Sequence, residues 1–195
     1  MHPSTGSSTT PSSRKTLRPY RQPAISSLAP RCVISNIAIL GGNVAHALPA
    51  ADGTIALLAL GATADIANPE GLRQVPIQSL FSGPGKFTLD KSNELIAGFF
   101  IPLADSGQAS VFKRIIPPQG VALPNLNCTV WNARDGNLVK DSRIAVGPGG
   151  PTRFRATVEE KILQGKTFDK ELLQKAGEAL LTKGSFRTSP PSGNL

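Results

Sequence analysis

The chain has 195 residues, of which 39% are hydrophobic and 17% are charged, with a formal net charge of +8. These values are typical of one globular domain with room for a small second one. No apolar run reaches the roughly 18–20 residues that cross a bilayer, so we expect no membrane span. Five basic and no acidic residues lie in residues 1–31. Most of the excess charge is therefore in one segment, which argues against a nucleic-acid-binding face.

The residues that usually ligate metals are scarce. The only cysteines are Cys32 and Cys128, and the only histidines are His2 and His46. This set is too small for an iron–sulfur cluster or a structural zinc site within the chain. We expect two reduced thiols and no histidine-based catalytic triad.

The first segment, residues 1–32, is rich in Ser, Thr, Pro and Arg and is predicted to be a disordered tail. Its composition also resembles an organelle transit peptide, but its prolines would interrupt the amphipathic helix of such a signal. It has no continuous apolar stretch of the kind that a secretory signal requires. We therefore expect a cytoplasmic protein whose ordered part begins near Val33.

The next elements are an extended apolar segment and a helix. The segment leads into Gly41-Gly42-Asn43, where a tight turn is the simplest interpretation. A short buried helix is predicted over 52–62. Asp52 is a candidate cap for its first amides, and Gly61 is a candidate stop.

The middle of the chain is predicted to form strands. Two of them, 63–67 and 73–77, flank a turn at 68–71. A loop is predicted over 82–93, followed by a buried strand over 94–101 and another strand over 111–116.

The last part combines a hairpin with helices. Strands at 126–132 and 138–146 pair across Asp135-Gly136, a strong hairpin signal. Residues 157–160 fit a capping box, and a final helix carries Phe168, Leu172, Ala176 and Leu180 in one row, with Leu173 beside it. Residues 184–195 should be loose. The predicted fold class is α+β.

Three features are candidate binding elements when considered as residues alone. The glycine pair at Gly41 and Gly42 would allow close approach of a flat or charged ligand, and Asn43 offers donors and an acceptor. Asp52 would accept a hydroxyl or simply cap its helix. Lys113, between Phe112 and Arg114 on a strand, would face an anion or extend to solvent.

One family resembles the chain over roughly residues 33–183. The segment 36–52, followed by 55–62, resembles the second FAD-contact motif of flavin subunits in the xanthine dehydrogenase family, which includes carbon monoxide dehydrogenase medium chains and aldehyde oxidases. The likeness continues, in order, through residues 75–86, 94–102, 112–114, 143–152 and 156–181.

The resemblance implies a fold, a division into domains and a cofactor. The fold would be the C-terminal part of a vanillyl-alcohol-oxidase/PCMH-type FAD domain, followed by a small antiparallel sheet with helices. The segments would be a tail (1–32), a partial FAD-binding subdomain (33–103), a carbon monoxide dehydrogenase flavoprotein C-terminal-like domain (104–183) and a loose end (184–195). The positions that match FAD contacts are Gly41, Gly42, Asn43, Val44, Asp52, Ile96 and Lys113.

The resemblance also implies partners and an activity. The chain would be the FAD-binding subunit of a molybdopterin-dependent hydroxylase, with molybdopterin in a large subunit and 2Fe-2S clusters in a small one. Electrons would pass from the clusters through FAD to NAD or another acceptor, and no residue here would be an acid–base catalyst.

The sequence departs from the family at three places, one of which is Leu48, where the family usually has a serine before the proline. Ser35-Asn36-Ile37-Ala38-Ile39 lacks the Gly and Thr that usually precede the glycine pair. The N-terminal subdomain with its Gly-rich pyrophosphate loop has no counterpart. We therefore expect a separately encoded N-terminal FAD subdomain as partner or, alternatively, a truncated structural or vestigial subunit that does not bind flavin.

Overall fold

The computed structural model describes residues 40–48, 50–83, 85–115, 126–148 and 154–183. The predictions for residues 1–32, 33–39 and 184–195 lie outside these ranges. The helices are α1 (Leu40–Ala45), α2 (Asp52–Leu60), α3 (Thr157–Leu163) and α4 (Lys170–Lys183). The strands are β1 (Thr63–Asn68), β2 (Gly71–Pro76), β3 (Phe81–Gly83), β4 (Lys86–Phe87), β5 (Leu95–Phe100), β6 (Gln108–Ile115), β7 (Leu126–Asp135), β8 (Leu138–Gly147) and β9 (Phe154–Arg155). A 3₁₀ turn spans Ile77–Leu80.

The first sheet is antiparallel with strand order β2-β1-β5. Its central strand buries Ala64 and Ile66, and the turn between β1 and β2 lies where the sequence predicts it. The strand predicted over 94–101 is confirmed, but it is not buried as expected. It lies at the edge of the sheet, and the side chains of Leu95 and Phe100 are exposed. The loop predicted over 82–93 is only partly a loop, since β3 and β4 form a small hairpin around Gly85.

Helix α1 corrects the prediction of a tight turn at the glycine pair. Gly41, Gly42 and Asn43 lie inside this helix, and Val44 is its fully buried residue. The helix packs on α2, where Gly53 permits close approach. A Cβ at Gly53 would lie 2.5 Å from Leu40 Cδ1. Tertiary packing thus offsets the poor helix propensity of the two glycines.

Helix α2 is buried on every side from Asp52 to Ala59. It ends at Gly61, as predicted, in the left-handed conformation at φ 66°. The expectation that Asp52 caps the helix is wrong: Ala51 holds the N-cap position, and no side chain caps the helix. Asp52 is instead the first helical residue, and its carboxylate contacts the second sheet.

The second sheet is antiparallel with order β6-β7-β8-β9. The predicted β7–β8 hairpin is confirmed, with Asp135 opposite Leu138 and Gly136 at φ 56°. Helix α2 packs on one face of this sheet, against β7 and β8. Helix α3 packs on β8 from the other face and on α4. Helix α2 therefore lies between the first core and the second sheet.

The two C-terminal helices differ in how well the pattern located them. Leu172 and Ala176 are buried on α4, with Phe168 and Leu180 packed beside them, as expected. Leu173 is exposed. The prediction of a capping box at 157–160 is wrong. Ala156 holds the N-cap position of α3, and the Glu160 carboxylate accepts hydrogen bonds from Arg155.

The α+β class is confirmed by this arrangement of mixed sheets and helices. Among the described residues, no helix is both long enough and apolar enough to span a bilayer.

Candidate functional site

A cavity of about 440 Å³ opens between α1, β5 and the loop that precedes β5. Its volume is within the range of small-molecule sites. The lining is mostly glycine, alanine and large apolar side chains, with two charged residues: Gly41, Gly42, Ala45, Phe87, Leu89, Lys91, Glu94, Leu95 and Ile96. Such a lining suits a flat ligand with apolar faces.

Gly42 lines the cavity on the side of α1 and adds no side chain to it. A Cβ added at this exposed residue would meet no protein atom within 4 Å. A side chain at this residue would therefore have open space for its Cβ beside the cavity. A side chain at this position would occupy room that a ligand could otherwise use.

The charges at the cavity are unequally compensated. Arg73 Nη2 donates to Glu94 Oε1 at 2.7 Å, and the main-chain amide of Asp90 donates to Glu94 Oε2 at 3.0 Å. The hydrogen bond from Arg73, followed by that from Asp90, lowers the pKa of Glu94. Lys91 has no carboxylate within ion-pair distance among the described residues. The cation is thus the charge left available to a ligand.

Asn43 and Val44 lie on α1 but face the protein interior. Val44 is fully buried in the first core, so only its main chain could face a ligand. The Asn43 Oδ1 atom is buried, has no hydrogen-bond partner in the part of the chain described, and lies near Gly53.

Asp52 is 5% exposed and joins α2 to the second sheet. Asn127 Nδ2 donates a short hydrogen bond to Asp52 Oδ1, and Arg114 Nη1 lies 3.5 Å from Asp52 Oδ2. Burial raises the pKa of the Asp52 carboxyl, against the opposing effects of the Asn127 hydrogen bond and the Arg114 charge. Its carboxylate is therefore held by the second sheet and does not line the cavity.

Lys113 lies on the other face of that sheet. Strand β6 alternates, so that Val111, Lys113 and Ile115 are exposed while Phe112 and Arg114 are partly buried. Successive side chains of a strand point to opposite faces of its sheet, which accounts for this alternation. Lys113 pairs with Cys128 across the strands and does not line the cavity.

The structure thus brings together three of the seven residues matched by resemblance: Gly41, Gly42 and Ile96. Sequence reasoning missed Phe87, Leu89, Lys91 and Leu95, which lie in or beside a segment interpreted as a loop. It also missed Asn127. The polar residues Asn127 and Thr129 alternate with apolar ones along β7, a pattern that usually indicates a solvent face, yet both are buried.

Two family models match the chain. The FAD binding domain in molybdopterin dehydrogenase matches residues 10–104, and the CO dehydrogenase flavoprotein C-terminal domain matches residues 114–194. The two matches follow one another along the chain in the same order as the two cores.

Curated relatives and a solved structure agree with these matches. The chain is 27% identical to the putative xanthine dehydrogenase FAD-binding subunit of Escherichia coli, over 80% of the chain and 53% of that relative. It is 30% identical to the glyceraldehyde dehydrogenase medium chain of Sulfolobus acidocaldarius, over 82% of the chain and 54% of that relative. A carbon monoxide dehydrogenase structure from Hydrogenophaga pseudoflava superposes with a TM-score of 0.78 and 26% identity, covering 84% of this chain and 56% of that one. The chain therefore spans about half the length of the curated relatives it matches.

Proposed function

Because this chain belongs to the family of FAD-binding subunits of xanthine and carbon monoxide dehydrogenases, we propose that it holds FAD within a molybdenum hydroxylase complex. The observation that carries the proposal is the glycine-walled cavity between α1 and β5. The family match suggests FAD as the ligand, and the cavity offers room for a flat ring system.

The cavity fits the isoalloxazine ring of FAD in three respects. Its volume of about 440 Å³ suits a fused ring system. Its walls present Phe87, Leu89 and Ile96 to the apolar faces of a ring. Gly42 leaves open the space that a Cβ would fill. The cavity is suited to the ring rather than to the whole dinucleotide.

The seven matched residues would contribute in different ways. Gly41, Gly42 and Ile96 would contact the ring, and Val44 could contribute only its main chain. FAD is elongated, so its ribityl chain and diphosphate need not lie in the same cavity as its ring. Asn43, Asp52 and Lys113 do not line the cavity, so we propose them as contacts to those other parts of the cofactor on the resemblance alone.

Lys91 adds a positive charge to the lining of the cavity. A cation here favours an anionic group on a bound ligand, since Glu94 is already neutralised by Arg73. FAD, when bound, would accept and pass on electrons, a chemistry that belongs to the cofactor and not to protein side chains. The chain's own residues would bind, orient and shield it.

We further propose the arrangement that the relatives suggest for the complex. A large subunit would hold molybdopterin, a small subunit would hold 2Fe-2S clusters, and NAD or another acceptor would take the electrons. The location would be cytoplasmic.

The test is FAD titration followed by flavin fluorescence quenching. Gly42→Leu should abolish saturable binding, because Gly42 lines the cavity and the position has open space for a Cβ, from which a larger side chain would compete with the ligand for room. Gly177→Leu is the matched control: Gly177 is also helical and open, but lies on α4 away from the cavity. Equal FAD binding by both variants would contradict the proposal.

A second candidate is a structural subunit of the same family that binds no flavin. It is favoured by Asp52, whose carboxylate is engaged by Asn127 and Arg114 rather than presented to the cavity. This candidate predicts that the folded wild-type chain shows no saturable FAD binding.

A further inference from the structure

Helix α2 is the element through which the two halves of the protein meet. It is buried on all sides, with α1 packed on it from the first core and the second sheet packed along it. Ala145 of β8 belongs to the same apolar cluster as Ile55 of α2. A shift of the second sheet would therefore move α2.

The N-terminal end of α2 is held by two strands of the second sheet. Arg114 and Asn127 lie directly opposite each other in the β6–β7 register, and both reach Asp52. Asn127 Nδ2 also lies 3.5 Å from the Ala50 carbonyl oxygen. Asn127 is fully buried, so water cannot readily replace these hydrogen bonds.

The C-terminal end of α2 is held by Arg143 of β8. Arg143 Nη1 donates to the Leu60 carbonyl at 3.0 Å, where the last carbonyls of a helix favour a cation. The guanidinium lies 4.0 Å from the centroid of the Trp131 ring, and its Nε is 3.8 Å from Asp141 Oδ2. Gly61 leaves room for this approach, since a Cβ there would collide with the guanidinium.

Helix α2 in turn fixes the glycine wall of the cavity. Gly53 lies so close to α1 that its missing Cβ would be 2.5 Å from Leu40 Cδ1 and 2.9 Å from Asn43 Oδ1. The described part of helix α1, Leu40–Ala45, packs on α2 at this close contact, and tertiary packing of this kind supplies most of the stability of helices in proteins. The position of Gly41 and Gly42 therefore depends on the position of α2.

We propose that Asn127 and Arg143 are positioning residues for the flavin cavity: they clamp α2 at its two ends and thereby set the place of α1. Neither residue lines the cavity. The inference rests on the proposed function for the identity of the ligand, FAD. It predicts that the second sheet controls cofactor affinity without touching the cofactor's ring.

The test titrates FAD into the full chain and into Asn127→Leu, Arg143→Met and Arg143→Lys, well below the unfolding temperature of each. Asn127→Leu should raise the dissociation constant at least about tenfold, because without the hydrogen bond to Asp52 helix α1 would occupy its binding position for only a fraction of the time. Arg143→Met should raise it less, and Arg143→Lys should recover most of the loss, because an ammonium can still donate to the Leu60 carbonyl. The visible circular dichroism of bound flavin should change in the first two variants.

Val146→Ala is the matched control. Val146 is also buried in the second sheet, but it faces the C-terminal helices rather than α2. This variant should lower the unfolding temperature and leave the FAD dissociation constant and dichroism unchanged. If Asn127→Leu does not fold, Arg143→Met, at a half-buried position, still tests the clamp.

The outcomes separate the clamp from the proposed function. If the wild type binds FAD and the clamp variants keep its affinity and spectrum, the clamp is refuted. If the wild type binds no FAD, the proposed function fails, and amide hydrogen exchange of α1 decides the clamp. Faster exchange in Asn127→Leu than in Val146→Ala supports it, and equal exchange overturns it.

Discussion

The two faces of the second sheet are built from different chemistry. The face toward α3 and α4 is apolar, with Val146, Leu163 and Leu172 in one cluster. The face toward α2 also buries Ala145, but it adds Arg114, Asn127 and Arg143, whose hydrogen bonds and charges reach defined atoms of the helix. Apolar burial is roughly proportional to area and non-directional, whereas hydrogen bonds fix orientation. One face therefore supplies stability, and the other sets the position of α2.

Leu163→Ala should have the largest effect on stability. Leu163 is 3% exposed in the apolar cluster, so truncation removes buried contacts and leaves a cavity. The free energy of unfolding should fall by about 2–5 kcal/mol. Urea unfolding with an unchanged m-value measures this loss. At urea concentrations far below the unfolding transition, the FAD affinity should stay at the wild-type value. A parallel loss of affinity would contradict the division of roles between the two faces of the sheet.

The polar face should respond to pH as well as to substitution. Asp52→Ala removes the partner of Asn127 and should cost about 1–3 kcal/mol of unfolding free energy. Because burial raises the pKa of Asp52 above its usual 3.8, the folded state binds more protons than the unfolded state just above pH 3.8. This group's contribution to stability is therefore fully present below the unfolded pKa and is lost as pH rises through the folded pKa.

Asp52→Asn isolates that titration. The asparagine cannot ionise, so the unfolding free energy of the variant, minus that of the wild type, should increase as pH rises through the window above 3.8. Chemical denaturation at several pH values measures this difference. A difference that stays flat across the window would show that Asp52 does not titrate differently in the folded protein.

Sequence pattern located the strands well because their signals are local. Alternation along β6, the turn at Gly71 and the β7–β8 hairpin are each determined by residues close in sequence. The helix at Gly41 and Gly42 could not be predicted, because it depends on packing against Gly53. The fold class and the stop of α2 at Gly61 followed from pattern, while the N-cap of α2 and the environment of α1 did not.

The site was less accessible to prediction than the fold. Resemblance pointed to Ile96 and the glycine pair, and the structure places them at one cavity. Asn127 was missed because its polar side chain alternates with apolar neighbours, as on a solvent-facing strand. The packing of α2 on one face of the second sheet depends on residues far apart in sequence. A local pattern around Asn127 therefore cannot predict which face is covered.

Leu173→Ala should have the smallest effect on stability, and it tests which side of α4 faces the second sheet. The sequence places Leu173 beside the apolar row, but the structure leaves it 46% exposed, whereas the adjacent Leu172 is 6% exposed. Truncation at an exposed position should change the unfolding free energy by less than about 0.5 kcal/mol. Leu172→Ala, with the same chemistry one residue away, should cost about 2–5 kcal/mol. Comparable losses in the two variants would mean that α4 packs with both leucines inward, and the apolar face of the second sheet would then be wider than the structure shows.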